Sequence, residues 1–176
     1  MPTYRRDQTQ GGCYFFTVAL AERRNNPLLV QHITQLREAT RAVQQAHPFE
    51  IVAAVVLPDH LHAIWQLPEG DADYSTRWSL IKAAFSRQLP KQERVSVSRQ
   101  ERRERGIWQR RFWEHRIRDE DDLRRHVEYI HYNPVKHGHA ASPIEWPHSS
   151  LHRYIRQGVY PSDWAADVAV QTLTYE

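Results

Sequence analysis

The chain has 176 residues, 40% of them hydrophobic, and carries a formal net charge of +3. This length suits one domain with a hydrophobic core, so we expect a single domain over residues 1–176. The sequence has no apolar run that could span a membrane, and its first residues lack the apolar stretch of a secretory signal. The single cysteine, Cys13, excludes an internal disulfide and favours a cytoplasmic location.

The first third of the chain predicts a strand followed by a helix. Residues 14–20 are rich in aromatic and β-branched side chains, which favour a strand. Asn26 and Pro27 are typical of a helix start, and apolar residues at helical spacing predict four or five turns that end at Pro48.

The middle of the chain predicts two strands and a second helix. Residues 50–57 form a short apolar run typical of a buried central strand, and residues 60–67 alternate like its antiparallel partner. A helix is expected from about Ser75. Residues 90–106 are polar and charged, which predicts a long loop.

The last third predicts a strand within residues 107–117 and a helix capped by Asp119 and closed by Pro134. A short helix is expected over residues 149–156 and an irregular tail over residues 158–176. The order strand, helix, strand, strand, helix, strand indicates an α+β fold, a ferredoxin-like βαββαβ sandwich with helices packed on an antiparallel sheet.

Arginine and aromatic residues alternate in the region after the polar loop. This combination suits a nucleic acid, because phosphates need cations and bases need flat surfaces. Acidic residues lie among the arginines, so a solvated charged surface also explains the pattern. The residues are Arg102, Arg103, Arg105, Arg110, Arg111, Arg116, Arg118, Arg124 and Arg125, with Trp108, Phe112 and Trp113 among them.

His60 and His62 are the first candidates for chemistry. Alternate residues of a strand point to the same face, so both imidazoles would project together and could chelate one divalent ion. Asp59 could orient His60, although a turn role explains it as well. A chain with 11 histidines also produces such a pair by chance, and His137 and His139 form a second one.

Tyr129 is the second candidate, on the helix that Asp119 caps. His126 and Asn133 lie three and four positions away and so face the same side, beside the apolar stripe. Because Pro134 follows it, Asn133 is expected at the end of the helix. An ordinary tyrosine that borders the core remains the alternative.

Several segments in joint order resemble the REP-associated tyrosine transposases, a branch of the single-tyrosine HUH transposases. The resemblance spans most of the chain but leaves out residues 90–106. Its segments are Phe15-Phe16-Thr17-Val18, Val56-Leu57-Pro58-Asp59-His60-Leu61-His62-Ala63-Ile64-Trp65, Leu67-Pro68-Glu69-Gly70-Asp71, Ser75-Thr76-Arg77-Trp78, Ile107-Trp108-Gln109-Arg110-Arg111-Phe112-Trp113-Glu114-His115, Val127-Glu128-Tyr129-Ile130-His131-Tyr132-Asn133-Pro134-Val135-Lys136-His137-Gly138 and Trp146-Pro147 with Ser149-Ser150.

The resemblance implies that His60 and His62 are metal ligands, that Asn133 is the third ligand and that Tyr129 is the nucleophile. It implies cleavage and rejoining of single-stranded DNA at hairpins formed by repetitive extragenic palindromes (REPs), through a 5′-phosphotyrosine. We expect Mg²⁺ or Mn²⁺ as the cofactor. His126 and Asp59 are expected to support this site.

The expected DNA contacts are Arg5, Arg6, Lys82, Arg110, Arg111, Arg116 and Lys136, with Trp113 as a surface for base stacking. Three alternatives remain open: a hairpin-binding protein that does not cleave, a relaxase-like or replication-initiator nicking enzyme, and an α+β RNA-binding domain. We expect a monomer that associates with the nucleoid.

Overall fold

A computed structural model describes residues 4–176. The fold of these residues is built on a four-stranded antiparallel sheet. The strands lie in the order β2-β3-β1-β4. This confirms the predicted α+β class and the ferredoxin-like sandwich. The strands are β1 Cys13–Ala19, β2 Glu50–Val56, β3 His60–Gln66 and β4 Trp113–Arg116.

Local capping explains where two of the long helices beside the sheet begin. The Asp73 carboxylate accepts a hydrogen bond from Thr76 N, and the Asp119 carboxylate accepts one from Asp122 N. Each bond satisfies an amide that the first helical turn leaves unpaired. The helices are α1 Leu28–Gln31, α2 Ile33–Ala46, α3 Tyr74–Arg87, α4 Val97–Glu101, α5 Glu120–Lys136, α6 Leu151–Arg156 and α7 Val168–Gln171, with a 3₁₀ turn at Pro143–Glu145.

One face of the sheet carries an aromatic core under α2 and α3. Phe16 of β1 lies with its ring centroid 4.9 Å from Trp65 of β3, and Trp65 stacks on Trp78 of α3 at 4.1 Å. These rings are buried and pack with aliphatic side chains of α2 and α3. The alternation of apolar residues along β1 and β3 therefore builds this face directly.

The opposite face is covered by α5 and the C-terminal tail. Phe15, Val55 and Ile64 pack there against Tyr129 and Ile130 of α5. His60 and His62 occupy the same strand face as Ile64, because alternate residues share a face. This face therefore mixes apolar side chains with buried polar ones.

The prediction that residues 50–57 form a central strand is wrong, because β2 lies at the edge of the sheet. Its outer edge is covered by a short segment: Val56 N donates to His148 O at 2.9 Å, and Ser150 N donates to Ala54 O at 2.8 Å. Covering both faces and the edge gives an edge strand the apolar composition of a central one.

Two helix predictions need correction. The helix expected from Pro27 to Pro48 is split at His32, whose backbone leaves the helical region at φ −113°. Pro134 lies inside α5, which continues to Lys136, so Pro134 does not close it. A proline removes only one helical hydrogen bond, and His137 N still donates to Asn133 O at 3.1 Å beyond it.

The two segments predicted to lack regular structure each contain a short helix. The polar region 90–106 contains α4, and the tail 158–176 contains α7. Among residues 4–176, no helix is long and apolar enough to cross a membrane.

Candidate active site

His60 and His62 project side by side from β3 into the face covered by α5. Their ring centroids are 5.0 Å apart, and both side chains are almost fully buried. Within residues 4–176 neither Nε2 atom has a hydrogen-bond partner. A buried polar atom without a hydrogen-bond partner lowers the stability of the fold. Two such atoms side by side therefore indicate a place where another group can bind.

The second nitrogen of each ring is held by a polar neighbour. Asp59 Oδ1 lies 2.7 Å from His60 Nδ1, and Arg23 Nε donates to the other oxygen of Asp59 at 2.7 Å. Thr17 Oγ1 lies 2.9 Å from His62 Nδ1. Such partners orient an imidazole, which is the role predicted for Asp59.

Tyr129 reaches the same place from α5. Its ring centroid lies 5.3 Å from that of His62, and its hydroxyl donates to Glu176 Oε1 at 3.1 Å. The side chain is fully buried in the core, so the expectation that it lies beside the apolar stripe is wrong. Burial raises the pKa of Tyr129 well above its usual value, which keeps the phenol protonated at neutral pH.

Asn133 lies one turn beyond Tyr129 and is fully buried. Neither its Oδ1 nor its Nδ2 has a partner among the described residues. Because α5 continues past Pro134, Asn133 is an interior helical residue and not the last one. Its side chain is therefore held by the helix on the side that Tyr129 occupies.

Two further residues join the cluster that the sequence did not assign to it. Glu176 Oε1 lies 2.5 Å from His137 Nε2 and 4.0 Å from the Nε2 atoms of both His60 and His62. Burial raises the pKa of Glu176, but the hydrogen bond to His137 and the electrostatic attraction of His137, His60 and His62 together outweigh burial and lower the pKa to about 2. His137 belongs to the second His-x-His pair of the sequence, which was the one available signal for it. Nothing in the sequence indicated Glu176.

His126 makes its polar contacts away from this cluster. Its Nδ1 lies 2.8 Å from the backbone oxygen of Asp122, and its ring stacks on His115 at 4.7 Å and on Tyr175 at 4.3 Å. None of its hydrogen bonds within residues 4–176 reaches Tyr129. Its expected support of the site would therefore act through packing.

Three of the expected DNA contacts line a groove of about 650 Å³ on the α3 side of the sheet. The Arg6 guanidinium lies 4.0 Å from the Phe112 ring centroid, and Lys82 Nζ donates to Gln109 O at 3.0 Å. Burial lowers the pKa of Lys82 to about 8. Arg110 lines the same groove and pairs with Glu104 at 2.8 Å.

The other expected contacts are dispersed. Arg5 and Arg111 are exposed, and Arg116 pairs with Asp7 at 2.9 Å. Trp113 is 40% exposed and stacks between His115 and Tyr175. Lys136 belongs to the tyrosine site, since its Nζ lies 4.9 Å from the Tyr129 ring centroid.

Comparison with known proteins places this arrangement in a family. Residues 9–133 match the family model described as transposase IS200-like. The REP-associated tyrosine transposase of Escherichia coli K12 is 47% identical over 168 residues, covering 96% of this chain and 93% of that protein. A Haemophilus influenzae protein assigned provisionally to the same group is 49% identical, covering 95% of each chain.

A solved structure agrees with the sequence comparisons. It shows a REP-associated tyrosine transposase bound to a REP hairpin and matches this chain with a TM-score of 0.82 at 46% identity. The match covers 96% of this chain and 93% of that one.

Proposed function

This chain belongs to the REP-associated tyrosine transposases of the IS200-like family, and we propose that it cleaves and rejoins single-stranded DNA beside a palindromic hairpin. The solved relative binds a REP hairpin, which supports the same class of substrate here. One observation carries the proposal: Tyr129 is buried beside His60 and His62, whose Nε2 atoms are left without protein partners. Unpaired buried polar atoms lower the stability of the fold, so their presence together favours a role in binding or catalysis.

The donor set fits a divalent cation. The two imidazole Nε2 atoms and the Asn133 amide oxygen are buried and unpaired within residues 4–176. An amide oxygen suits Mg²⁺ or Mn²⁺, and imidazole nitrogens suit transition-metal ions, so the mixed set fits Mn²⁺ better than Mg²⁺. When bound, the ion would supply Lewis-acid polarisation of the scissile phosphate. His60, His62 and Asn133 bring no charge to the ion, and the Glu176 carboxylate lies 4.0 Å from both Nε2 atoms. We expect the DNA phosphate to add negative charge and so strengthen binding of the ion.

Tyr129 is the nucleophile in this proposal. Its phenolic oxygen forms a bond to phosphorus, and the bond from phosphorus to the 3′-oxygen of the preceding nucleotide breaks. The phenol loses its proton during the attack, and the leaving oxygen gains one as a free 3′-hydroxyl. The 5′-phosphotyrosine conserves a phosphodiester bond, so a 3′-hydroxyl can reverse the step and rejoin the strand without ATP.

The basic groove supports hairpin binding away from the tyrosine. Arg6, Lys82 and Arg110 lie on the α3 side of the sheet, and Tyr129 lies on the α5 side. Trp113 of the edge strand β4 packs against Phe15 and Tyr175 on the α5 side, where its exposed ring could stack on an unpaired base. Binding through several phosphates should weaken steeply as salt rises.

A denaturing gel tests the proposal with purified protein, Mn²⁺ and a labelled single-stranded REP hairpin. The wild type should form a covalent adduct and a cleaved strand. Tyr129→Phe should form neither while binding the hairpin with nearly unchanged affinity. Tyr132→Phe is the matched control on the same helix and should cleave like the wild type.

The same experiment distinguishes the other candidate functions. Tight hairpin binding without any adduct, in Mg²⁺ or Mn²⁺, would identify a binding protein and contradict the proposed chemistry. Preference for an RNA hairpin of the same sequence would instead indicate an RNA-binding domain. Equal loss of binding and cleavage in Tyr129→Phe would contradict the role given to Tyr129.

A further inference from the structure

The Thr17 hydroxyl lies between His62 and the C-terminal tail. Thr17 of β1 stands directly opposite His62 of β3 in the antiparallel register. Its Oγ1 lies 2.9 Å from His62 Nδ1 and 2.7 Å from the backbone oxygen of Tyr175. Thr17 is only 9% exposed and His62 is fully buried, so the hydrogen bond between them is shielded from solvent.

The chemistry of these three groups fixes the direction of both hydrogen bonds. A carbonyl oxygen only accepts, so the Thr17 hydroxyl donates its one hydrogen to Tyr175 O. Towards His62 the Thr17 oxygen can then only accept. His62 Nδ1 must therefore carry the hydrogen, which leaves the lone pair of a neutral ring on Nε2.

We propose that Thr17 is a positioning residue that holds His62 as its Nδ1–H tautomer, so that Nε2 offers a lone pair to a divalent cation. The metal part rests on the proposed function. At His60 the Asp59 carboxylate, 2.7 Å from Nδ1, attracts the hydrogen to the same nitrogen, although the Arg23 guanidinium also approaches that nitrogen at 3.1 Å. The two imidazoles are thus oriented by different partners, a charged carboxylate at His60 and a neutral hydroxyl at His62.

A competing group explains why His62 needs this partner. Glu176 Oε1 lies 4.0 Å from His62 Nε2 and attracts a hydrogen to that nitrogen. Without the Thr17 oxygen, the Nδ1 hydrogen would have no acceptor, whereas a hydrogen on Nε2 would face a carboxylate. Removal of the hydroxyl should therefore move the hydrogen from Nδ1 to Nε2 and block the lone pair that a cation needs.

Imidazole nitrogen NMR of the metal-free full chain measures the tautomer directly. Two-bond ¹H–¹⁵N spectra of the wild type should show a protonated Nδ1 and an unprotonated Nε2 for His62, assigned by comparison with His62→Gln. Thr17→Val, which keeps the shape and removes the hydroxyl, should reverse that pattern. Thr17→Ser should restore it, and Thr40→Val, on helix α2 of the other face, should leave it unchanged.

Cation binding provides the second readout. Mn²⁺ affinity measured by electron paramagnetic resonance in the presence of hairpin DNA should fall about 10–100-fold in Thr17→Val, the range typical for loss of a partner behind a metal ligand. Thr17→Ser should recover it. A folded Thr17→Val with wild-type Mn²⁺ affinity would overturn the proposal.

The wild-type spectrum decides even if Thr17→Val does not fold, because a hydrogen on Nε2 of His62 contradicts the proposal by itself. This result is independent of the proposed function. A protonated Nδ1 in a protein that forms no DNA adduct would leave the role of Thr17 in place and reject the cleavage chemistry. An adduct formed by a protein whose His62 carries the hydrogen on Nε2 would support the cleavage chemistry and reject the role of Thr17.

Discussion

The two faces of the sheet are built on different principles. Under α2 and α3, buried aromatic rings such as Phe16, Trp65 and Trp78 pack against each other, and the unpaired polar side-chain atoms of this core among residues 4–176 are the indole nitrogens of Trp78 and Trp108. Under α5, the buried side chains include His62 and Asn133, whose polar atoms lack protein partners within the described chain. Under the proposed function, the α5 face gives up stability to keep these groups free for binding, whereas the other face serves the stability of the fold.

The largest effect that separates the two faces is expected from His62→Ala. Loss of this imidazole should remove detectable covalent adduct and weaken Mn²⁺ binding, while hairpin affinity changes little. Gel and filter-binding assays on the same preparation measure both. If adduct forms at the wild-type level without His62, the α5 face is not the site of cleavage.

Asn133→Leu tests whether the unpaired Asn133 amide lowers the free energy of unfolding. The leucine fills a similar volume and removes two buried polar atoms, each of which costs about 1–3 kcal/mol when unpaired. We expect a higher free energy of unfolding of the metal-free protein in urea, together with weaker Mn²⁺ binding. The matched change on the other face, Ile81→Val, should instead lower the free energy of unfolding by about 0.5–1.5 kcal/mol.

A lower free energy of unfolding for Asn133→Leu would show that the amide is satisfied in solution. It would then remove the argument that this side chain is kept for binding.

Much of the apolar face could be predicted from the sequence, whereas the α5 face could be predicted only in part. Strand and helix periodicities depend on neighbours in the chain, which is why β1, β3 and α3 were placed correctly. The residues His60, His62 and Tyr129 emerged because local spacing and the family resemblance point to them. Their convergence depends on how α5 packs against β3, which local sequence does not determine.

The missed features depend on contacts between distant segments. Glu176 reaches His137 across 39 positions of sequence, and Thr17 reaches the Tyr175 carbonyl across 158. The edge position of β2 was missed because residues 148–150 cover it and allow an apolar composition. No local pattern encodes such pairings.

Trp113→Ala sharpens the comparison at the β4 edge of the α5 face. Base stacking on an aromatic ring contributes about 1–3 kcal/mol per base, so hairpin affinity should fall roughly 10-fold if this ring holds an unpaired base. Fluorescence anisotropy measures the change. Trp113→Phe should retain much of the affinity, and an unchanged affinity for Trp113→Ala would assign the ring to packing against Tyr175.

A pH-dependent effect is expected from Lys82 on the apolar face. Its pKa is about 8 in the folded chain against an ordinary 10.5, so the folded state binds fewer protons between these values. The stability of the wild type relative to Lys82→Met should therefore rise as pH increases from 8 to 10.5. Urea unfolding of both proteins at pH 7.5 and pH 10 measures it, and a constant difference would place Lys82 in solvent.

Mass spectrometry of the protein after incubation with Mn²⁺ and a single-stranded REP hairpin tests the central claim most directly. The account predicts that the peptide containing Tyr129 carries a nucleotide fragment linked through its 5′-phosphate. An adduct on another residue, or an unmodified protein that nevertheless binds the hairpin tightly, would contradict it.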